Sequence, residues 1–304
     1  MCLFFDLHTD ILYDIVQKKL DHKTDIIKDN HLNELITGEF IGGIWCYYTD
    51  PNHQICDFNK AIDIILEELT KCSDYVKIIK KKDDFDDHKL NVVLGLESLY
   101  PVQNLEAFKN LYQLGFRHAM LTWNEENQFA TGTYGEEKRG LTELGKEIIQ
   151  FMTSNQMILD ISHANLQTFN DITHLTPYPL LASHSNVKKL CDHKRNLNDE
   201  QITKIIDSGG LIGLTAVPAF LNKTGATLDD LMNHLQVLYE EDYVNQLGFG
   251  FDFMHYIEGK NLPDLQSPID MPNLIAKLKQ YPYSHMEQMA SLNGIHFIKK
   301  ILEK

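Results

Sequence analysis

The chain has 304 residues, 43% of them hydrophobic and 23% charged, which is enough to bury one large core. A formal net charge of −15 argues against a nucleic-acid partner, whose phosphates would be repelled. No apolar run reaches the roughly 18 residues that a membrane helix needs, and no basic segment typical of a signal peptide precedes the first apolar stretch. Five cysteines without metal-binding spacing suit a reducing compartment. We therefore predict a cytoplasmic protein that binds neither nucleic acid nor membranes.

Short apolar runs rich in β-branched residues alternate with longer stretches of helical periodicity. Strands are predicted near residues 2–7, 42–47, 92–96, 117–122, 157–161, 180–183, 210–214 and 247–250. Helical periodicity fills most of the gaps, for instance over 56–81, and Gly115, Gly209 and Gly248 are predicted to end helices. Eight strands interleaved with helices indicate an α/β fold, a TIM-like (β/α)8 barrel that forms a single domain over residues 1–304.

Six acidic and histidine side chains each close or follow a predicted strand. They are His8, Asp10, Glu97, His163, His184 and Asp252. Because the carboxyl ends of barrel strands meet on one face, we expect the six to converge there. Imidazole nitrogens and carboxylate oxygens hold divalent metals such as zinc, so the set predicts a polynuclear metal site and an enzyme. Taken singly, each residue would be assigned to a turn, the surface or the core.

The other buried acid and the other histidines are not predicted to bind metal. Asp160 lies further into its strand, and we expect it to stand behind the ligands and orient one of them. The remaining histidines are interpreted as structural or surface residues, and they stand at positions 22, 31, 53, 88, 118, 174, 193, 234, 255, 285 and 296.

Several motifs are shared with one known family. They are DLHTD, LGLES, GFRHAMLTWNEEN, GLTELGKEIIQFM, MILDISHAN and LLASHSNVKKLCDHKRNLNDEQITKIIDSGGLIGL. In these motifs the chain resembles, nearly end to end, the renal (membrane) dipeptidase family of zinc metallopeptidases, including its bacterial members. The resemblance implies a TIM-like barrel with two zinc ions that hydrolyses dipeptides, L-L and often L-D, to free amino acids. It also implies a homodimer as the common assembly.

The resemblance assigns the metal ligands residue by residue. His8 and Asp10 would bind one zinc ion, and His163 and His184 would bind the other. Glu97 would bridge the two ions.

The resemblance also assigns residues to the reaction and the substrate. Asp252 would hold the water between the metals, take its proton to leave a metal-bridging hydroxide, and later protonate the leaving amine. Arg195 would clamp the substrate's α-carboxylate through its planar guanidinium. Mammalian members have a histidine where Trp123 stands, so Asn124 or a metal would polarise the scissile carbonyl. Met254 replaces an acid of the family's SDFDG motif, and we expect it to alter the pocket.

Two other classes of function stay open. A different amidohydrolase-type barrel enzyme could use the same metals on a lactone, an ester or a cyclic amide, because function resides in the site and not in the fold. A non-catalytic binding protein with a relic site is the other class, against which the intact six-residue set argues.

Overall fold

The computed structural model describes residues 2–257 and 261–303, and in this part of the chain nine strands form one parallel sheet. The strands are β1 (Phe4–Thr9), β2 (Phe40–Tyr48), β3 (Val76–Ile78), β4 (Leu90–Glu97), β5 (Phe116–Met120), β6 (Ile158–Asp160), β7 (Leu181–Ala182), β8 (Leu211–Leu214) and β9 (Leu247–Phe249). Eight of them are neighbours in the order β1-β2-β4-β5-β6-β7-β8-β9. The predicted TIM-like barrel is confirmed.

Helices connect the strands and cover the barrel. They are α1 (Ile11–Leu20), α2 (Asn33–Thr37), α3 (Phe58–Lys71), α4 (Leu105–Leu114), α5 (Glu143–Ser154), α6 (Leu166–Leu175), α7 (Asp199–Asp207), α8 (Pro218–Leu221), α9 (Leu228–Glu240), α10 (Met271–Leu278), α11 (Tyr283–Glu287) and α12 (Asn293–Ile301). Shorter π-helical or 3-10 turns occupy Ile27–Leu32, Lys82–Asp84, Val244–Gln246, His255–Ile257, Pro268–Asp270 and Gln288–Leu292. Of the helices in the described part of the chain, none combines the length and apolar character needed to span a lipid bilayer.

The ninth strand, β3, was not predicted. The helix expected over 56–81 ends at Lys71, and residues Val76–Ile78 pair in parallel with the first half of β4. Val76 and Ile78 are β-branched, and such residues fit a pleated surface better than a helix. Local periodicity alone missed the change because three residues are too few to show strand alternation.

One predicted helix end is wrong, and packing gives the reason. Gly248 lies inside β9, not after a helix. A Cβ atom at this position would stand 2.7 Å from Cδ1 of Leu7, so the glycine makes room for a side chain inside the barrel. The other two glycines follow α4 and α7 in the left-handed conformation, as predicted, with φ of 116° at Gly115 and 72° at Gly209.

Apolar side chains fill the barrel at the beginning of its strands. The cluster joins one or two residues from each of several strands to α12, and it includes Phe5, Leu7, Ile44, Val93, Ile158, Leu181, Leu211, Phe297, Ile298 and Ile301. Each fully buried aliphatic or aromatic side chain of this kind contributes about 1.5–3 kcal/mol. The opposite end of the barrel is left for polar side chains.

The barrel closes between its first and last strands through single hydrogen bonds. No ladder of paired residues joins β1 to β9 within the described ranges, so the barrel is nearly closed. Instead the backbone N–H of Asp252 donates to the carbonyl of His8 at 3.3 Å. The backbone N–H of Phe251 donates to Oδ1 of Asp6 at 2.9 Å. This seam brings residues from the two ends of the chain together.

Candidate metal centre

The six side chains predicted as a site lie at the carboxyl ends of five strands. They come from the end of β1 (His8 and Asp10), the last residue of β4 (Glu97) and the segments that follow β6 (His163), β7 (His184) and β9 (Asp252). The structure brings all six together on one face of the barrel, within the distances given below.

The carboxylate of Glu97 lies between His8 on one side and the pair His163 and His184 on the other. Its Oε1 lies 2.8 Å from Nε2 of His163 and 3.6 Å from Nε2 of His184. Its other oxygen, Oε2, lies 3.6 Å from Nε2 of His8. One carboxylate therefore offers a different oxygen to each side, as a ligand shared by two cations would.

His8 also belongs to a group of carboxylates. Its Nε2 lies 3.8 Å from Oδ1 of Asp10 and 3.9 Å from Oδ1 of Asp252. Both ring nitrogens of His8 and Oδ1 of Asp10 are buried without a hydrogen-bond partner among the described residues. Burying such atoms unpaired is costly, so a cation that takes their lone pairs fits this group.

Hydrogen bonds behind His163 and His184 determine which ring nitrogen faces the cluster. Nδ1 of His163 lies 3.0 Å from Oδ1 of Asn124, and Nδ1 of His184 lies 2.8 Å from Oγ of Ser183. Both oxygens can accept a hydrogen bond, so both rings can carry their proton on Nδ1. The lone pairs of the two Nε2 atoms, 2.9 Å apart, then face the cluster. Nη2 of Arg195 lies 2.6 Å from the Nε2 of His184, so a cation bound there would replace this contact.

Burial shifts the pKa values of these side chains toward their uncharged forms. Burial and the charge of Asp252 raise the pKa of Glu97 to about 8, and burial with Glu97 raises the pKa of Asp10 well above its usual value. Burial lowers the pKa values of His163 and His184 well below the usual range, which favours the neutral imidazoles. A divalent cation would favour the ionised carboxylates and use the neutral imidazoles as ligands.

Three residues at the strand ends adopt the left-handed backbone region. The φ angle is 70° at His163, 55° at Asp252 and 78° at Ser98, which directly follows Glu97. A non-glycine residue in this region costs about 1–3 kcal/mol, and such residues gather at functional sites. Their concentration around one cluster supports a functional role for it.

A cavity of about 400 Å³ opens onto the cluster. Asp10, Glu97, His163 and Asp252 are the polar cluster residues that border it. Half of its lining residues are aromatic or aliphatic, namely Tyr13, Tyr48, Trp123, Tyr134, Val217, Phe220, Met254 and Ile257. A small, mostly apolar cavity with convergent polar groups is the usual form of a small-molecule site.

The three residues predicted to contact substrate all line this cavity. The indole ring of Trp123 packs edge-on against Tyr48, with ring centroids 5.1 Å apart. Asn124 already uses Oδ1 for His163, which makes it a support for that ring as well as part of the wall. Arg195 is 5% exposed, and its Nη2 lies 2.6 Å from Nε2 of His184.

Sequence reasoning missed much of the cavity wall. His53 and His193, interpreted above as structural or surface residues, both line the cavity. The ring of His193 stacks on Phe220 with centroids 4.6 Å apart, and the Arg195 guanidinium lies 5.4 Å from the centroid of Phe220. The nearness of His193 to Arg195 in the sequence was the one available signal.

The family model described as membrane dipeptidase, peptidase family M19, matches residues 2–302. The chain belongs to the membrane dipeptidase family. This confirms the resemblance in the sequence motifs. Membership implies a metal cofactor, and the cluster around Glu97 is the candidate place for it.

Individual members of the family resemble the chain to different extents. An uncharacterized dipeptidase of Schizosaccharomyces pombe is 29% identical over 266 residues, which are 83% of this chain. This chain spans 63% of the length of that relative.

Two solved structures share the barrel. The crystal structure of an M19 dipeptidase, a metallo peptidase, gives a TM-score of 0.87 at 21% identity and covers 99% of both chains. A metallo peptidase from Rhodobacter sphaeroides, with a phosphinate mimic of the dipeptide L-Ala-D-Ala, gives 0.85 at 21% identity and covers 98% of this chain and 99% of that one. At this identity the likeness shows the fold.

Proposed function

We propose that this chain is a binuclear zinc dipeptidase that hydrolyses L-L and L-D dipeptides to free amino acids. The observation that carries the proposal is the position of Glu97, whose Oε1 faces His163 and His184 while its Oε2 faces His8. His8 and Asp10 would hold one zinc ion and His163 and His184 the other, with Glu97 shared. The R. sphaeroides relative, solved with a mimic of L-Ala-D-Ala, supports the substrate class.

Zinc, when bound, supplies a Lewis acid and lowers the pKa of water toward neutrality. Asp252 is the cluster carboxylate most open to the cavity, with its side chain 16% exposed compared with 6% for Asp10 and 4% for Glu97. Its Oδ1 can therefore accept a proton from a water at the scissile carbonyl and return it to the leaving amine nitrogen.

Arg195 is assigned to the free carboxylate of the dipeptide. Its guanidinium is buried at the cavity wall, and Nε has no hydrogen-bond partner among the described residues. A planar guanidinium binds a carboxylate through two parallel hydrogen bonds. A charged anchor in the wall of a cavity of this size would select substrates with a carboxylate close to the scissile bond, and so dipeptides over long peptides.

The proposal is tested by hydrolysis of L-L and L-D dipeptides with zinc-loaded protein, together with the metal content per chain. We expect turnover that a chelator abolishes and zinc restores, with close to two metals bound. Bound metal without dipeptide cleavage would indicate that the substrate is another amide, an ester or a lactone. A cytoplasmic location and a homodimer remain predictions from the sequence.

A further inference from the structure

We propose that two buried aspartates, Asp6 and Asp160, are positioning residues that each hold one half of the metal centre. The inference rests on the proposed function, because it concerns the residues assigned there as zinc ligands. Neither aspartate lines the cavity, and their exposed fractions are 3% and 2%. Each lies on a strand that carries a candidate ligand just beyond it.

Asp6 joins the first strand to the segment after the last strand. Its Oδ1 accepts the backbone N–H of His8 at 3.2 Å and the backbone N–H of Phe251 at 2.9 Å. Phe251 directly precedes Asp252, so one oxygen sets the positions of His8 and Asp252 relative to each other. These are two of the three members of the His8, Asp10 and Asp252 group.

Asp160 joins the two segments that carry His163 and His184. Its Oδ1 accepts the backbone N–H of Ser162 at 2.9 Å and that of Ser183 at 3.2 Å. These serines directly precede His163 and His184. A single oxygen therefore bridges the two segments that carry the second pair of candidate ligands.

The carboxylates act where the sheet ladder has ended. β6 and β7 share one pair, Asp160 with Leu181, and no ladder joins β1 to β9 in the described chain. Beyond these points single hydrogen bonds join the strand ends, such as those from the N–H of Asp252 to the carbonyl of His8 and from the N–H of His184 to Oγ of Ser162. In both places one carboxyl oxygen accepts two backbone N–H groups and so adds a further link between the segments.

The second oxygen of Asp160 is itself held in place. Nε2 of His118 lies 2.8 Å from Oδ2, and Nδ1 of His118 lies 3.8 Å from Sγ of Cys46. Gly95 leaves room for this ring, because a Cβ there would stand 2.6 Å from Nδ1 of His118. The support for His163 and His184 thus extends across the barrel interior.

The test measures zinc affinity and metal content of Asp6→Ala and Asp160→Ala by competition with a chelator. We expect each variant to weaken one of the two bound zinc ions by about 10–100-fold, the usual effect of removing a group that orients a ligand. Asp6→Asn and Asp160→Asn keep an acceptor oxygen and should restore most of the affinity. In Asp160→Asn the His118 ring can switch tautomer to suit the amide.

Double variants show which ion each aspartate serves. In a His8→Ala background, Asp6→Ala should cause little further loss of zinc affinity, whereas Asp160→Ala should still lower the affinity for the remaining ion.

Asn91→Ala is the matched control. Its buried amide also bridges backbone segments, to residues 41 and 86, but at the opposite end of β4. It should lower stability without changing zinc affinity.

The possible results separate the two proposals. A wild-type protein that binds no zinc overturns the proposed function and this inference with it. If the wild type binds two zinc ions and both alanine variants bind them equally well, the inference alone is wrong. The inference is also wrong if both alanine variants lower the affinity for the same zinc ion, or if Asn91→Ala lowers zinc affinity as much as they do. If an alanine variant does not fold, Asp6→Ser and Asp160→Ser replace it in the same measurement. Serine is too short to bridge both N–H groups.

Discussion

The Nε2 atoms of His163 and His184 face each other at 2.9 Å, although both imidazole rings are buried. At most one proton can lie between two nitrogens at that distance, and burial keeps the pKa values of both rings low. With the proton of each ring on Nδ1, where Asn124 and Ser183 offer acceptor oxygens, both Nε2 atoms present lone pairs to each other. A cation with affinity for nitrogen ligands satisfies both lone pairs at once.

Zinc should stabilise the folded chain through this pair. At free zinc about 100-fold above its dissociation constant, the free energy of unfolding should rise by about 2.7 kcal/mol per site. Thermal unfolding with and without zinc measures the effect, and His184→Ala should lose part of it. Mg²⁺ is the control, because it prefers oxygen ligands and should stabilise much less. Equal stabilisation by Mg²⁺ would contradict a site built on imidazoles.

Replacing Asp252 separates proton transfer from metal binding. Asp252→Asn should keep its zinc but lose about 10²–10⁴-fold in kcat, the range for removing a general base. Steady-state kinetics beside metal analysis measures both quantities. Asp10→Asn is the comparison, since it should lose zinc and turnover together. An unchanged kcat in Asp252→Asn would refute the proton-transfer role.

Arg195 should decide whether the substrate needs a free carboxylate. The wild type should prefer a dipeptide over its C-terminal amide, and Arg195→Ala should lose that preference. Since a hydrogen bond to a charged group contributes about 1.5–3 kcal/mol, we expect KM for the dipeptide to rise by roughly 10–100-fold. The ratio of kcat/KM for the two substrates, in both proteins, is the measurement. A variant that still prefers the free acid would show that another residue binds the carboxylate.

Acid should destabilise the chain in part through His31. This buried ring lies 2.7 Å from Oδ2 of Asp14, yet burial, together with Lys18 and His255, lowers its pKa. Its contribution is thus fully present above the unfolded pKa of about 6.5 and is lost as the pH falls. The pKa of Asp14 is also lowered, because hydrogen bonds from His31 and Lys18 outweigh the effect of burial, so its contribution is lost at still lower pH.

Urea unfolding of the wild type and His31→Gln at pH about 7.5 and about 5.5 tests whether the His31 contribution to stability is lost as the pH falls. Glutamine can still donate to Asp14 but does not titrate. On acidification, the free energy of unfolding of the wild type should fall by more than that of the variant. A constant difference would mean that the His31 pKa is not lowered on folding.

The strand-end residues could be predicted because each is marked by its own stretch of sequence. Glu97 ends a run of buried strand residues, and His184 follows another, so position along the chain implied position in space. Parallel strands of a barrel all end on one face, which turned six separate positions into one site. No knowledge of side-chain packing was needed for that step.

The cavity wall could not be predicted in the same way. Tyr13 comes from the first helix, Tyr134 from the connection between β5 and α5, and Phe220 from the short helix α8. Which of these side chains face the cavity depends on how each connection folds over the barrel, and apolar residues in such segments look alike in sequence. The role inferred for Asp6 was hidden for a related reason, because its partner Phe251 is 245 residues away.

That separation has a consequence for the order in which the molecule can assemble. His163 and His184 are 21 residues apart, so they can meet while the C-terminal third of the chain is still being synthesised. The seam between Asp6 and Phe251 cannot form until nearly the whole chain has left the ribosome. Contacts between such distant residues form slowly, because a long loop must close first. The first strand therefore has to remain without its last neighbour for most of synthesis, and until then it is an open edge of the nascent barrel.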